Sequence, residues 1–398
     1  MLLKDYLKFK KISNIEFAKN LGISHVSLSR YISGERFPEK KNLVKIYKIT
    51  CGLVTPNDFY LSEVINTETL IEDKNWLNEF KRKIRSGSRK HLAKSITLVE
   101  SSLKSDQLVS EALLESFKKK KGSIRIGITG VPGVGKSTFI ESFGMNLIDK
   151  GLKIAVLAID PSSKKTGGSI LGDKTRMEKL SVNSNAFIRP SPSDGHLGGV
   201  AKKTYESILC LEEAGFDIIF VETMGVGQAE TAVYDMVDIF TVLLLPSGGD
   251  ELQGIKKGII EIADIIIVNK ADGELKKSAE ITQREYKNAT HMTNTSRIKT
   301  TLGVFTCSSL NSEGFLEIWE YILKFIEIRK TNEDFFINRD AQRSKWMWNT
   351  VNLKVQEFIQ NNLMNKEFVN YIQEAMKDNE LGIYKASKII CDYLLKNK

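Results

Sequence analysis

Gly127-Ile-Thr-Gly-Val-Pro-Gly-Val-Gly-Lys-Ser-Thr138 decides the fold. It holds a complete Gly-x4-Gly-Lys-Ser phosphate-binding loop, placed directly after an apolar β-type run, Ser123 to Thr129, and directly before a helical pattern over 137–149. Gly130, Gly133 and Gly135 let the backbone curl until several N–H groups converge on one phosphate, where side chains would clash. Lys136 can then reach the β- and γ-phosphates, and the Ser137 hydroxyl can ligate Mg²⁺. The following helix begins there, so its orphan N–H groups and dipole face the anion. The expected contact set is Gly130, Val131, Pro132, Gly133, Val134, Gly135, Lys136, Ser137 and Thr138. A glycine-rich turn that merely contained a lysine would not need a strand before it and a helix after it; both are present.

Working outward, apolar runs at 123–129, 153–159, 217–222, 239–245, 264–269 and 302–306 alternate with helical stretches. Near-continuous runs such as Lys153-Ile-Ala-Val-Leu-Ala-Ile159 mark strands buried on both faces of a parallel sheet. The fold class is therefore α/β, a P-loop domain with a doubly wound, mostly parallel sheet, flanked by an N-terminal all-α domain and helical extensions. The expected organisation is a helix-turn-helix-like domain over 1–65, a helical extension over 66–121, the P-loop domain over 122–330 and a C-terminal helical region over 331–398. In that last region Trp346, Trp348, Val351, Leu353, Val355 and Phe358 offer an apolar surface suited to a second subunit or to packing within the chain.

A phosphate loop leaves ATP and GTP open, and Asn269-Lys270-Ala271-Asp272 decides between them. In this arrangement the Asp272 carboxylate can accept from both N1–H and the 2-amino group of guanine, a donor pair that adenine lacks. Asn269 would brace the loop and the Lys270 stem would cover the base. The match lies about 130 residues beyond the phosphate loop, at a strand C-terminus, where such sheets bind ligands. Strand 153–159 ends in Asp160 and strand 217–221 ends in Glu222, so two carboxylates arrive beside the loop. Either alone would serve as a helix cap; both together with Ser137 fit Mg²⁺, which favours a few oxygen ligands plus phosphate and water. Between those strands, Thr166–Met177 and Ser191–Gly199 are glycine-rich, polar connections, either plain surface loops or elements ordered by a γ-phosphate; Asp173 and Arg176, which could face metal and phosphates, favour the second reading.

The bulk numbers agree. The 398 residues exceed what one small core needs, and 41% hydrophobic with 27% charged residues is ordinary for a globular chain. Cys51, Cys210, Cys307 and Cys391 lack paired spacing, which argues against a disulfide framework or a zinc site. Residues 1–20 lack the apolar core of a signal peptide and no run is long enough for a membrane span, so a cytoplasmic protein without membrane contact is expected. The net charge is +9, and residues 1–65 contribute 11 Lys/Arg against 6 Asp/Glu.

Gly130–Thr138, Ile159-Asp-Pro-Ser-Ser163, Gly167–Met177, Arg189-Pro-Ser-Pro192, Val221-Glu-Thr-Met-Gly-Val-Gly-Gln228 and Gly249-Asp-Glu-Leu-Gln-Gly-Ile-Lys-Lys-Gly258 together resemble the methylmalonyl-CoA mutase-associated GTPases of the MeaB/ArgK type. The likeness runs from about residue 75 into the C-terminal helices. It implies a GTPase that assists an adenosylcobalamin-dependent acyl-CoA mutase in cofactor loading and protection, with GTP/GDP and Mg²⁺ bound and a homodimer formed through the C-terminal helices. By position it implies Ser137, Asp160, Asp173 and Glu222 around Mg²⁺, Asp272 with Ser308-Ser309-Leu310 at the guanine, and 249–258, with Gln253 and Lys256, as a switch answering to the partner. Lys136, Arg176 and Lys256 are the candidate catalytic residues. Ser309 stands where the family usually has Ala, a change expected to be tolerated because that contact runs through the backbone N–H. Ser247-Gly248, Asp194 and His196 also depart from the pattern, and bear on partner choice and switching. No residue stands out as a general base, so in-line water attack with electrostatic stabilisation is the expected mechanism.

The family does not usually carry residues 1–65. Ile15–Leu21, Gly22 and Ser24–Ser33 give a helix, a tight turn and a second helix capped by Ser24, and resemble the helix-turn-helix of Cro/repressor-type regulators. That resemblance implies DNA binding through His25, Val26, Ser27 and Arg30; docking to a protein or to the GTPase domain itself is the other reading. A GTP-responsive, DNA-binding transcription regulator is thus the alternative function. A kinase coupled to amino-acid transport finds no support beyond the phosphate loop.

Overall fold

β1 (Ile124–Gly130) is buried at every residue, with Ile124, Ile126 and Ile128 turned into one core and Arg125 and Thr129 on the other face. A strand so covered needs neighbours on both edges and helices on both sides. The computed structural model describes residues 3–33, 36–50, 52–54, 56, 59, 67–101, 103–117, 122–160, 177–192, 197–223, 229–246, 257–292, 302–362 and 366–396. They fall into two compact units, Met1–Arg82 and Lys83–Lys398.

The first unit contains helices α1 (Leu3–Lys10), α2 (Asn14–Leu21), α3 (His25–Ser33) and α4 (Lys40–Ile49), and most of α5 (Thr67–Arg85), which crosses the boundary. Its own small core gathers Tyr6, Phe17, Leu21, Leu28, Tyr31 and Ile46. Ser13 accepts from Glu16 N–H at 3.2 Å at the start of α2, and Gly22 ends that helix at φ 74°, a left-handed turn that leads straight into α3.

In the second unit α6 (Arg89–Glu100) and α7 (Lys104–Ser116) precede β1, α8 (Lys136–Asp149), β2 (Ile154–Asp160), α9 (Glu178–Val182), β3 (Ala186–Pro192), α10 (Leu197–Ala214) and β4 (Ile218–Thr223). Then follow α11 (Ala229–Tyr234), β5 (Ile239–Leu244), α12 (Lys257–Glu261), β6 (Ile265–Val268), α13 (Lys276–Met292), β7 (Gly303–Thr306), α14 (Phe315–Thr331), α15 (Asp334–Asn362), α16 (Lys366–Lys377) and α17 (Ile383–Lys396). The seven strands form one parallel sheet in the order β3-β2-β4-β1-β5-β6-β7. β1 sits at its centre between β4 and β5, and chain crossovers leave on both sides of it, which opens the crevice at its C-terminal end. Phe139 and Phe143 of α8 stack at 5.3 Å and meet Phe315 of α14 over Ile126 and Ile128. Each such buried side chain contributes roughly 1.5–3 kcal/mol.

Six of the seven strands coincide with the apolar runs read from the sequence; β3 does not. Its apolar content is only Ala186, Phe187 and Ile188 before Arg189 and Pro190. Prolines that cannot donate to a ladder are tolerated there because β3 is an edge strand, paired with β2 alone. Of the two readings of the C-terminal apolar surface, Trp346 takes the one within the chain. It is buried and stacks on Tyr205 of α10 at 4.9 Å and 16°, so it belongs to the core side of α15 and not to the apolar surface. Trp348, Val351, Val355 and Phe358 are exposed.

An ionic cluster anchors α15 to the N-terminal end of β1. Arg125 donates in a fork to Glu212 at 2.8 and 2.9 Å, and Arg339 donates in a fork to Asp238 at 2.8 and 2.7 Å and to the Ser123 carbonyl at 2.7 Å. Burial alone would lower the Arg125 pKa, but Glu212 and Asp238 outweigh it and hold it raised. Burial would raise Asp238, and Arg339 with Arg125 more than offsets that, holding the carboxyl below its ordinary range. Among the described residues no helix is long and apolar enough to cross a membrane.

Candidate functional site: a phosphate loop tied to a base loop

The phosphate loop leaves β1 at Gly130 and enters α8 at Lys136, one residue earlier than the sequence pattern suggested. Gly135 caps α8 at φ 90° and ψ 32°, a left-handed conformation, and a Cβ there would lie 2.8 Å from Asn269 Nδ2. Lys136 is buried, and its ammonium donates to the carbonyls of Gly130 at 2.9 Å and Val131 at 3.3 Å, so it lies folded over the loop it belongs to. Ser137 donates its hydroxyl to Glu222 Oε1 at 3.0 Å. Glu222 is held at that height because β4 pairs with β1 in a register that sets it beside Ile128, and Thr223 donates to Thr129 Oγ1 at 2.9 Å across the same pair. Pro132, Gly133, Gly135, Lys136, Ser137, Thr138, Ala158, Ile159, Glu222 and Thr223 line a cavity of about 440 Å³ at this end of the sheet.

The base loop follows β6. Asn269 is buried, Lys270 takes a positive φ of 60° with its side chain exposed, and Asp272 precedes the short turn Gly273–Leu275. Asn269 donates Nδ2 to the Val134 carbonyl of the phosphate loop at 2.8 Å. Its Oδ1 accepts from Ser309 N–H at 3.2 Å, from the Ser309 hydroxyl at 2.7 Å and from the Cys307 thiol at 3.4 Å. Ser308 donates its hydroxyl to Asp272 Oδ2 and accepts from Asn311 N–H at 3.1 Å, while its backbone pairs with Glu313 in an antiparallel bridge. Leu310 is exposed at the rim. One asparagine thus ties together the segments that the sequence marks for phosphate and for base.

Ser137, Glu222, Lys136, Asn269, Asp272, Ser308 and Ser309 are brought to the C-terminal ends of β1, β4, β6 and β7. Asp160 closes β2, opposite Pro192 in the ladder, but its side chain lies outside the described residues, as do Asp173, Arg176, Gln253 and Lys256. The stretch Ser191–Gly199, read as a connection, is one only in part: Ser191 and Pro192 end β3 and Leu197–Gly199 open α10. Among the described residues no group of three or more His, Cys, Asp or Glu side chains is placed to hold a metal ion. In the first unit His25, Val26 and Arg30 lie on the exposed face of α3, opposite buried Leu28 and Tyr31. Ser27 is half-buried, with its N–H on Ser24 Oγ at 3.1 Å and its hydroxyl paired with the same oxygen at 2.9 Å, so it works as part of the helix cap.

Two contributors escaped the sequence reading. Cys307 stood out in the sequence only for lacking paired spacing; burial pushes its pKa up to about 12, which keeps the S–H proton available to Asn269. The Ser309 hydroxyl was expected to be neutral, yet it makes the shortest contact to Asn269 Oδ1. A hydroxyl three residues beyond the end of β7, next to an Asn-Lys-x-Asp loop, was the available signal.

A parallel α/β sheet whose first strand runs into this phosphate loop, with carboxylate and base loop at the same edge, defines a P-loop nucleoside triphosphatase. The family model of the methylmalonyl-CoA mutase-associated GTPase MeaB matches residues 92–364. A putative GTPase of Caulobacter vibrioides is 48% identical over 306 residues, 77% of this chain and 94% of that protein. GTPase ArgK of Escherichia coli is 44% identical over 311 residues, 77% of this chain and 93% of that protein. The mitochondrial methylmalonic aciduria type A homolog of Mus musculus is 40% identical over 315 residues, 76% of each chain. A crystal structure of a LAO/AO transport system kinase superposes with a TM-score of 0.63 at 35% identity, covering 80% of this chain and 97% of that one. The chain belongs to the MeaB family of methylmalonyl-CoA mutase-associated GTPases. It is a GTPase, and the guanine nucleotide is its ligand class.

Proposed function

We propose that this chain is a GTP-binding and GTP-hydrolysing chaperone that assists an adenosylcobalamin-dependent acyl-CoA mutase in loading its cofactor and in protection from inactivation. The family description supports the partner. The observation that carries the nucleotide half is the Asn269 bridge, which makes the phosphate loop and the base loop one recognition unit.

In this reading Lys136 exchanges its two carbonyl acceptors for the β- and γ-phosphates, and the N-terminus of α8 faces the same charge. Mg²⁺ suits the donor set in hand: a hydroxyl and a carboxylate 3.0 Å apart, with Asp160 at the end of the adjacent β2, are hard oxygen ligands. Ser137, Asp160, Asp173 and Glu222 would hold it. When bound it supplies neutralisation of phosphate charge. Arg176 and Lys256 are assigned to charge stabilisation during transfer and to the partner's signal, and Ser308, Ser309 and Leu310 to the base. Asp272 selects guanine, so Asp272→Asn, which presents a donor where an acceptor was needed, should lower GTP affinity at least about a hundredfold and favour xanthosine triphosphate in a competition titration. Unchanged GTP affinity would remove Asp272 from the site. Copurification of tagged protein with a non-hydrolysable GTP analogue should recover an acyl-CoA mutase; its repeated absence would sink the chaperone reading. The exposed Trp348, Val351, Val355 and Phe358 of α15 are the surface we assign to a homodimer, read by sedimentation velocity.

The exposed His25, Val26 and Arg30 face of α3 favours a second reading, a GTP-responsive transcription regulator that reads DNA through this helix. It calls for sequence-selected DNA binding that Arg30→Ala weakens and that falls steeply with salt. Binding that is absent or indifferent to salt would end it.

A further inference from the structure

The guanine-loop position that is usually Ala is Ser309 here, and the geometry gives that extra hydroxyl a task. Asn269 is 1% exposed, so each of its amide atoms must find a partner inside the protein. The Val134 carbonyl at 2.8 Å can only accept, which fixes Nδ2 on the phosphate-loop side and turns Oδ1 toward 307–309. Three donors converge on that oxygen, and they are unequal. The Ser309 hydroxyl stands at 2.7 Å, a full-strength distance, whereas the Ser309 N–H at 3.2 Å is at the long end of its range and the Cys307 thiol at 3.4 Å is a weak donor by nature.

We propose that Ser309 is a positioning residue for nucleotide binding, its hydroxyl locking the Asn269 amide so that the base loop and the phosphate loop are held in one fixed geometry. The inference rests on the guanine-nucleotide reading above and deepens it. With Ala at 309 the Asn269 carbonyl oxygen keeps the two weaker contacts. The amide can then rotate, and rotation releases Val134, whose carbonyl belongs to the phosphate loop. The residue is buried and the change removes a single oxygen, so the fold has no reason to fail.

The test is a double-mutant cycle on affinity for a fluorescent GDP analogue, using Ser309→Ala, Asn269→Ala and both together, with ADP as the specificity control. Ser309→Ala should weaken GDP threefold to tenfold, the span expected for one net hydrogen bond. In the Asn269→Ala background the same change should have an effect within twofold, because the hydroxyl acts only through that amide. Cys307→Ala, which removes the longest of the three donors, should weaken GDP less than Ser309→Ala does. An undiminished Ser309→Ala effect without Asn269, a GDP affinity unchanged in the single variant, or a larger loss from Cys307→Ala would each overturn the proposal. A wild-type protein that prefers ADP to GDP would instead overturn the guanine reading, and this inference with it.

Discussion

Gly135→Ala tests the bridge from the other side, and the local geometry sets its cost when Gly133→Ala is measured beside it. Both glycines have left-handed backbones, φ 90° and 82°, so an alanine at either pays about 1–2 kcal/mol of strain, offset by about 0.4–1 kcal/mol from a less flexible unfolded chain. The difference lies in the surroundings. A Cβ at 133 meets nothing within 4 Å, whereas a Cβ at 135 meets Asn269 Nδ2 at 2.8 Å, which must move off the Val134 carbonyl. A buried amide deprived of its partner costs a further 1–3 kcal/mol or so. Urea unfolding of the nucleotide-free protein should therefore find Gly133→Ala destabilised by about 1 kcal/mol and Gly135→Ala by about 2–4 kcal/mol. Fluorescent nucleotide titration should find the 135 variant at least tenfold weaker in GDP affinity, since the base loop loses its hold on the phosphate loop. Equal destabilisation of the two variants would refute the argument, because it would mean that Asn269 yields at no cost and the bridge is slack.

Burial pushes the Asp264 carboxyl up to about 6 while its Oδ2 accepts from Phe240 N–H at 2.8 Å. A carboxyl raised in the folded state binds its proton more tightly there than in the unfolded chain, so its contribution to stability is present below about pH 4 and is lost as pH rises through about 6. Asp264→Asn keeps an acceptor and removes the charge; thermal unfolding should show it more stable than wild type by about 1–3 kcal/mol at pH 7.5, with the gain vanishing near pH 4. Arg339→Leu breaks the buried fork to Asp238 and leaves that carboxylate without its ion-pair partner, held by the Arg125 N–H, which should cost about 3–5 kcal/mol in urea unfolding while GDP affinity of the folded fraction stays within twofold. The Asp272→Asn exchange of guanine for xanthine completes the set, read by competition titration.

The sequence alone determined the strands that are buried on both faces, because a parallel sheet writes itself as unbroken apolar runs, and it marked the segments proposed for phosphate and base, because each role needs fixed residue types at fixed spacing. It could not show β3, whose place on the sheet edge relaxes the demand for apolar residues and admits Pro190 and Pro192. It left open whether Trp346 packs within the chain or meets a second subunit, since helical periodicity tells which residues share a face and not which face meets Tyr205. Nor could it pair Arg339 with Asp238, which lie 101 residues apart in the chain, or set the Ser309 hydroxyl on Asn269, 40 residues away. Hydrogen bonds and ion pairs are short-ranged and directional. Only the packing of α14 and α15 against the sheet, and the register of β6 with β7, brings those atoms within reach.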